Sequence, residues 1–255
     1  YSSTAFRNAV TDAYTALFAV ADVAAGEMSD DQMAAEAIGE LLPSSLDNTG
    51  ACKVEEKDGL FVSSNRTGYA MVADKVAYVT DAFGNYVGSK SFDDAASEDA
   101  SVVEAVKTAA AGAYAAASEK NISRIVKMYE DAEVVTLTPT GVHSTVNGAY
   151  TFTSESTTYY AMTASAFGYG GPVNLLYIVD ENGTIAKFKV MSHNETEYYG
   201  DVVSQSSYTN GYPGQQLDSI GDDVLVVSGC TFTTNAVKTA AADVAAAFNA
   251  VKEAQ

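Results

Sequence analysis

Two cysteines and two histidines among 255 residues leave this sequence with little side-chain chemistry of the usual catalytic kinds. Cys52 and Cys230 allow at most one bridge and exclude a disulfide framework. His143 and His193 are too few for a histidine-rich metal centre. Basic residues are also scarce: 14 Lys and Arg stand against 33 Asp and Glu, for a net charge of -19. A field of that sign repels phosphate backbones and anionic lipid, which sets aside nucleic acid and membrane surfaces as partners. No apolar run approaches the roughly 18 residues a bilayer span needs, and no signal-peptide pattern opens the chain. The G-x-S-x-G elbow, the P-loop, C-x-x-C and H-E-x-x-H are all missing, so no catalytic residue and no metal ligand is assigned. The glycines Gly168, Gly170 and Gly171 lack the Rossmann spacing and run into a strand pattern, which argues against a dinucleotide fold. Asp180 in "DENGT" reads as a hairpin turn, not a calcium loop.

What the chain does have is apolar content, 47% of its residues, and internal repetition. "AVKTAAAGAYAAA" from Ala105 returns as "AVKTAAADVAAAF" from Ala236, a shift of 131 positions. A looser third copy opens the chain, where Phe6 and Val10 correspond to Val237 and Ala241. Apolar residues recur every three or four positions in each copy, which predicts three equivalent helices with one buried face. "YVTDAFGNYVG" from Tyr78 matches "YIVDENGTIAK" from Tyr177 at a shift of 99, each a β-hairpin turning at Gly84 or Gly183. "TGYAMVA" and "TYYAMTA" precede these hairpins, and "GLFVSS" and "AYTFTS" lie further upstream, all strand-like.

The pattern predicts an α+β protein of two related modules, each a small antiparallel sheet with packed helices. Further helices are expected near Asp30 to Leu42 and Asn121 to Asp131, with the polar stretch Ser118 to Asn121 as the boundary. The modules are then 1–118, with 1–25 as the opening helix, and 122–255. They are unequal. "SAFGYGGP", "MSHNETEYYG", "YTNGYPGQQL" and "VVSGCT" occur in the second only, which locates the working site in 122–255 if loops carry function and repeated strands carry packing.

One of those additions, "VSGCTFTTNAV" from Val227, ends at a helix predicted to start near Thr233. Unpaired N–H groups and the dipole at a helix start favour an anion, and a phosphate ester on Thr231 would sit in that field. The dipole contributes only about 0.3–1 kcal/mol per exposed charge, enough to orient a phosphate but not to retain it. Taken alone, the residue pattern reads as an ordinary N-cap.

"SGCTFTTNAV" from Ser228 resembles the attachment motif of the FMN-binding domain family, D-x-x-[ST]-G-A-[TS]-x-[ST]-[ST]-x-A-V. "GYGGPVNLLYIVDENGTI" from Gly168 is similar to that family's glycine-rich strand and hairpin, and "HNET" from His193 to its H-x-E-T segment. Leu225 stands where the family has Asp, Cys230 where it has Ala, and Glu197-Tyr198-Tyr199-Gly200 where it continues P-G-L-G. The resemblance implies FMN joined to Thr231 by a phosphoester bond, made by a Mg2+-dependent flavin transferase. It further implies a phosphate turn of Ser228, Gly229, Cys230, Thr233 and Thr234. Tyr169, Gly170 and Gly171 would let backbone approach the ring, with His193, Glu195 and Thr196 lining it. Tyr169, Tyr198, Tyr199, Tyr208 and Tyr212 offer stacking surfaces. Cys230 reads as a small buried side chain rather than a redox thiol, and "DNTGAC" before Lys53 as a coincidental imitation of the motif.

On that resemblance the chain is expected to be an extracytoplasmic or cell-surface electron carrier rather than a substrate-specific reductase. Its partners would be redox proteins or neighbouring flavin modules. "YSSTAF" at Tyr1 looks like the continuation of another attachment core, which reads as an excised or processed segment of a tandem array. A stalk or structural repeat protein with a vestigial flavin motif is the alternative, and persistent flavin absorbance separates the two.

Overall fold

The computed structural model describes residues 28–130, 132–197, 200–223 and 226–254. The expected opening helix 1–25 lies outside the described residues, as do Tyr198, Tyr199 and Leu225. Among the described residues ten strands form two five-stranded sheets, with helices packed on them, so the α+β architecture of two modules holds.

The first sheet is an antiparallel meander of β1 (Val54–Lys57), β2 (Leu60–Ser63), β3 (Gly68–Ala73), β4 (Val76–Asp81) and β5 (Tyr86–Ser91). Successive side chains of a strand point to opposite faces, and both faces of β4 are covered. Ala77 and Val79 pack with Ala37, Ile38 and Leu42 from helix α1 (Asp30–Leu41) and the residue after it. Val76 and Tyr78 pack with Val106 and Ala110 of helix α2 (Ala100–Val126). Burial on both sides explains why β4 opens with four apolar residues in a row, Val76 to Val79.

The second sheet has spatial order β10-β9-β8-β7-β6, from β6 (Val135–Thr136), β7 (Val146–Ser154), β8 (Thr157–Phe167), β9 (Pro172–Asp180) and β10 (Ile185–Ser192). One face, with Met162, Ala164, Leu175 and Tyr177, packs against a 23-residue helix that ends the described chain, Thr231–Glu253. The other, with Tyr150, Phe152, Leu176 and Ile178, packs against Ile125 near the end of α2. Two short helices, α3 (Ser206–Thr209) and α4 (Leu217–Asp223), lie between β10 and the long helix, which is α5.

Equivalent positions of the repeat behave alike. Val106 and Val237 are both fully buried, as are Ala110 and Ala241. In the β4–β5 turn the Asp81 carboxylate accepts the N–H groups of Phe83 and Asn85, at 2.9 and 3.0 Å. In the β9–β10 turn Asp180 accepts those of Asn182 and Thr184, both at 2.9 Å. Gly84 and Gly183 follow at φ +88° and +79°, a left-handed conformation that glycine adopts without a Cβ penalty.

Two expectations are corrected. No separate helix begins at Asn121: α2 runs unbroken for 27 residues through Ser118 to Asn121. Its first half packs on the first sheet through Val106 and Ala110, while Tyr114 and Ile125 belong to the cores on the two faces of the second. "SAFGYGGP" is also not all loop. Ser165 to Phe167 extend β8 and Pro172 starts β9, so only residues 168–171 form the turn.

Candidate flavin site

Three loops converge at the start of α5. Cys230 is its N-cap residue, and its side chain makes no capping hydrogen bond. The turn that delivers the chain there closes by Cys230 N–H to the Val227 carbonyl at 3.0 Å, with Gly229 at φ +82°. Nothing lies within 4 Å of where a Gly229 Cβ would be, so backbone conformation rather than space calls for glycine. The first backbone amide of α5 bonded inside the helix is that of Thr234, to the Cys230 carbonyl at 2.9 Å. The helix therefore presents an uncapped, anion-favouring start one residue after this turn.

The hydroxyls at this start differ. Thr233 is 1% exposed and donates to Glu195 Oε2 at 2.8 Å. Thr234 is fully buried and donates to the Cys230 carbonyl at 3.1 Å. Thr231 is exposed and lines a pocket of about 350 Å3. Ser228 is exposed in the turn but does not line that pocket. Of the hydroxyls at this helix start, Thr231 alone is both exposed and part of the pocket lining.

Glu195 holds the site together. Its Oε1 accepts the Gly170 N–H at 3.1 Å while Oε2 accepts Thr233, tying the β8–β9 turn to α5. His193 Nδ1 accepts the Glu195 N–H at 3.2 Å, so the histidine shapes its own loop and does not line the pocket. Three glycines make room for Glu195 and its loop. A Cβ on Gly168 would meet Oε1 at 2.2 Å, one on Gly200 would meet Oε2 at 2.2 Å, and one on Gly170 would meet the Asn194 carbonyl oxygen at 2.2 Å. Gly171 closes the turn, accepting the Gly168 N–H at 2.9 Å.

Gly170→Ala tests this packing. Its clash is with backbone, which cannot rotate away, so the two loops must part and the Gly170–Glu195 bond is lost. Overpacking of this kind costs about 1–3 kcal/mol, read as a lowered urea midpoint. An unchanged midpoint would show that the loops need not touch.

Of the residues expected from sequence, Tyr169, Glu195, Thr196, Gly229, Cys230, Thr231 and Thr233 line the pocket together. Gly200 and Phe232 join them without having been foreseen. Phe232 was legible in principle, since the repeat aligns it with the aromatic Tyr1. Asn48 was not foreseen either: its Nδ2 donates to the Tyr169 carbonyl at 3.1 Å, so the turn in "DNTGAC" touches the site despite its misleading likeness to the attachment motif. Tyr208 and Tyr212 are corrected from stacking candidates to core residues, each 4% exposed, with Tyr212 stacked on Phe188 at 3.9 Å between centroids. Burial, and then the carboxylates of Asp201 and Glu195, push the Cys230 thiol above its ordinary range. The two cysteines form no disulfide. No helix among the described residues is long and apolar enough to cross a membrane.

An open pocket thus lies against an uncapped helix start, rimmed by the exposed rings of Tyr169 and Phe232. Residues 168–246 match the model of the FMN-binding domain family. The matched range holds the β8–β9 turn, the Glu195 loop and Thr231. The chain is also 29% identical over 91 residues to one component of a proton-translocating ferredoxin:NAD(+) oxidoreductase complex from Clostridium ljungdahlii. That alignment covers 32% of this chain and 49% of the relative, so the chain spans about half of that protein's length.

Proposed function

We propose that this protein is an extracytoplasmic electron carrier whose FMN is joined through its phosphate to Thr231 Oγ1, working as one segment of a tandem array of flavin domains. The observation that carries this reading is the position of Thr231: an exposed hydroxyl in the first turn of α5, where no side chain of the N-cap residue competes for the amides, lining a pocket of about 350 Å3. That volume falls within the roughly 300–1,000 Å3 of small-molecule sites.

The fit is chemical as well as spatial. The described lining contains no lysine or arginine, and Glu195 is its one charged side chain. A dianionic phosphate there has only the dipole and the first-turn amides in its favour, worth about 0.3–1 kcal/mol for each exposed charge. A covalent bond removes the need for a cation. Tyr169 and Phe232, 64% and 59% exposed with centroids 6.3 Å apart, offer apolar surface to an isoalloxazine, and Thr196 and Gly200 complete the wall. FMN held there would supply reversible one- and two-electron chemistry, while the chain fixes its position and exposure. The accessible mouth suits exchange with redox proteins or adjacent flavin modules, and a flavin transferase would install the group. The relative's membership of a complex agrees with such partners.

Intact mass of the chain produced with a flavin transferase tests the proposal. The expected excess is one FMN less one water, on the peptide containing Thr231. A chain of unmodified mass and no visible absorbance would instead support a structural repeat protein with a disused motif.

A further inference from the structure

A second pocket, of about 220 Å3, lies where α2 and the β2–β3 turn meet the second sheet. Its charge is opposite to that of the molecule. Arg66, Lys120 and Arg124 all line it, and no acidic side chain does, in a chain with 33 Asp and Glu and only 14 Lys and Arg. None of the three takes part in an ion pair among the described residues. Lys120 and Arg124 are one turn apart on α2, a like-charge spacing that disfavours the helix slightly unless something neutralises it.

The third cation is aimed from another element. Arg66 has φ +59°, a left-handed conformation that a long side chain adopts at a cost. Its turn is fixed in place by Asn65, 2% exposed, whose Nδ2 donates to the Ser44 carbonyl at 2.7 Å. Asn147 Nδ2 in turn donates to the Asn65 carbonyl at 3.0 Å, bolting the turn to β7. Asn174 and Ser192, bonded to one another at 3.1 Å, complete the floor from β9 and β10.

We propose that this pocket binds a small organic or inorganic dianion of the dicarboxylate or phosphate class. Two planar guanidinium groups match carboxylate or phosphate oxygens in forked pairs, and an ammonium group adds a point charge. Asn147 and Asn174 each keep a second carboxamide N–H beyond the bonds given above, and these are neutral donors. At about 30 Å3 for each water of liquid volume, the space holds roughly seven waters, the scale of a four-carbon diacid. The site is separate from the flavin pocket, although Ser192 at its floor precedes Glu195 by only three residues.

The test is the thermal midpoint of the full chain titrated with succinate or with inorganic phosphate, against sodium chloride at matched ionic strength. A saturable rise with succinate alone, phosphate alone or both supports the site and names its preferred oxyanion. The R66Q/R124Q double variant should then need at least roughly tenfold more ligand for the same rise, because each lost charge-assisted pair weakens binding severely. Lys57→Gln, on β1, serves as the charge control and should bind as the unaltered chain does. Because the ligand-dependent rise is read relative to each variant's own midpoint, a stability change in the variant does not obscure it. No rise beyond chloride, or an equal rise in the double variant, overturns the proposal. Flavin content read on the same samples keeps this outcome separate from the fate of the flavin site.

Discussion

Thr231→Ala is expected to give a folded chain with no flavin that survives denaturation. The side chain is exposed, and no hydrogen bond holds its hydroxyl among the described residues. Alanine is the strongest helix former, so an exposed first-turn replacement should move stability by no more than about 0.5 kcal/mol. The urea midpoint therefore stays close to that of the unaltered chain while visible absorbance after denaturation falls to background. Thr233→Ala should do the reverse. It removes the bond to Glu195 and leaves a half-buried carboxylate oxygen short of a donor, costing about 1–2 kcal/mol, but it keeps the accepting hydroxyl. Thr231→Ser keeps an oxygen at the same place and should retain part of the load. Covalent flavin persisting on the alanine variant, at Ser228 or elsewhere, would defeat the assignment of Thr231 and leave the pocket without its anchor.

What could be read in advance was what lies close together in sequence. The paired turns at Asp81 and Asp180 depend on a side chain bonding amides two and four residues on, so five letters contain the whole interaction. The buried faces of α2 and α5 depend only on helical period, and Val106 and Val237 fell where that period puts them. The limits of α2 were misread for a physical reason. Ser118 and Asn121 look like a break, yet Ser118 is buried and donates to the Tyr114 carbonyl at 3.0 Å, while Asn121 bonds the Tyr150 hydroxyl at 3.1 Å. Their polar atoms are satisfied by the helix and the second sheet, so the chain has no cause to stop there. Tyr208 and Tyr212 were misplaced because an aromatic residue reads alike at a cofactor and in a core. The glycine turn before α5 was legible as a run of residues. The role of Glu195, which joins two loops to a helix 38 positions away, was not, because nothing local to "HNET" names its partners.

Asp243→Ala should be the most destabilising of the single changes considered. The repeat places Gly112 at the equivalent position of α2, so the carboxylate belongs to the second module alone. Asp243 Oδ2 accepts the Thr145 N–H at 2.6 Å and the Thr145 hydroxyl at 2.9 Å, fixing the entry to β7. Its Oδ1 lies 3.6 Å from His143 Nδ1, and His143 is 5% exposed. The histidine is held on three sides, with Nε2 against the Thr140 carbonyl at 3.0 Å and its backbone N–H donated to Asp81 at 3.1 Å. Hydrogen bonds to a charged acceptor contribute about 1.5–3 kcal/mol each, so losing two of them from a mostly buried carboxylate should cost about 3 kcal/mol overall. For a chain of this size that lowers the thermal midpoint by roughly 6–12 °C. Burial acts to lower the His143 pKa, but Asp243, the Thr140 carbonyl and Asp81 more than reverse this, and the net shift is upward from 6.5. A folded pKa above the unfolded one means the folded state holds the proton longer. The resulting stability is complete below pH 6.5 and is lost as pH rises through the folded value. Burial also raises the Asp81 pKa above 3.8, so its contribution is likewise complete below pH 3.8 and lost as pH rises through its folded value. Between pH 6 and 8.5 the unaltered chain should therefore lose stability with rising pH, and Asp243→Ala should start lower and lose less. A loss under about 1 kcal/mol, or an unchanged slope across that range, would mean that the His143–Asp243 pair does not hold the second sheet to its helix.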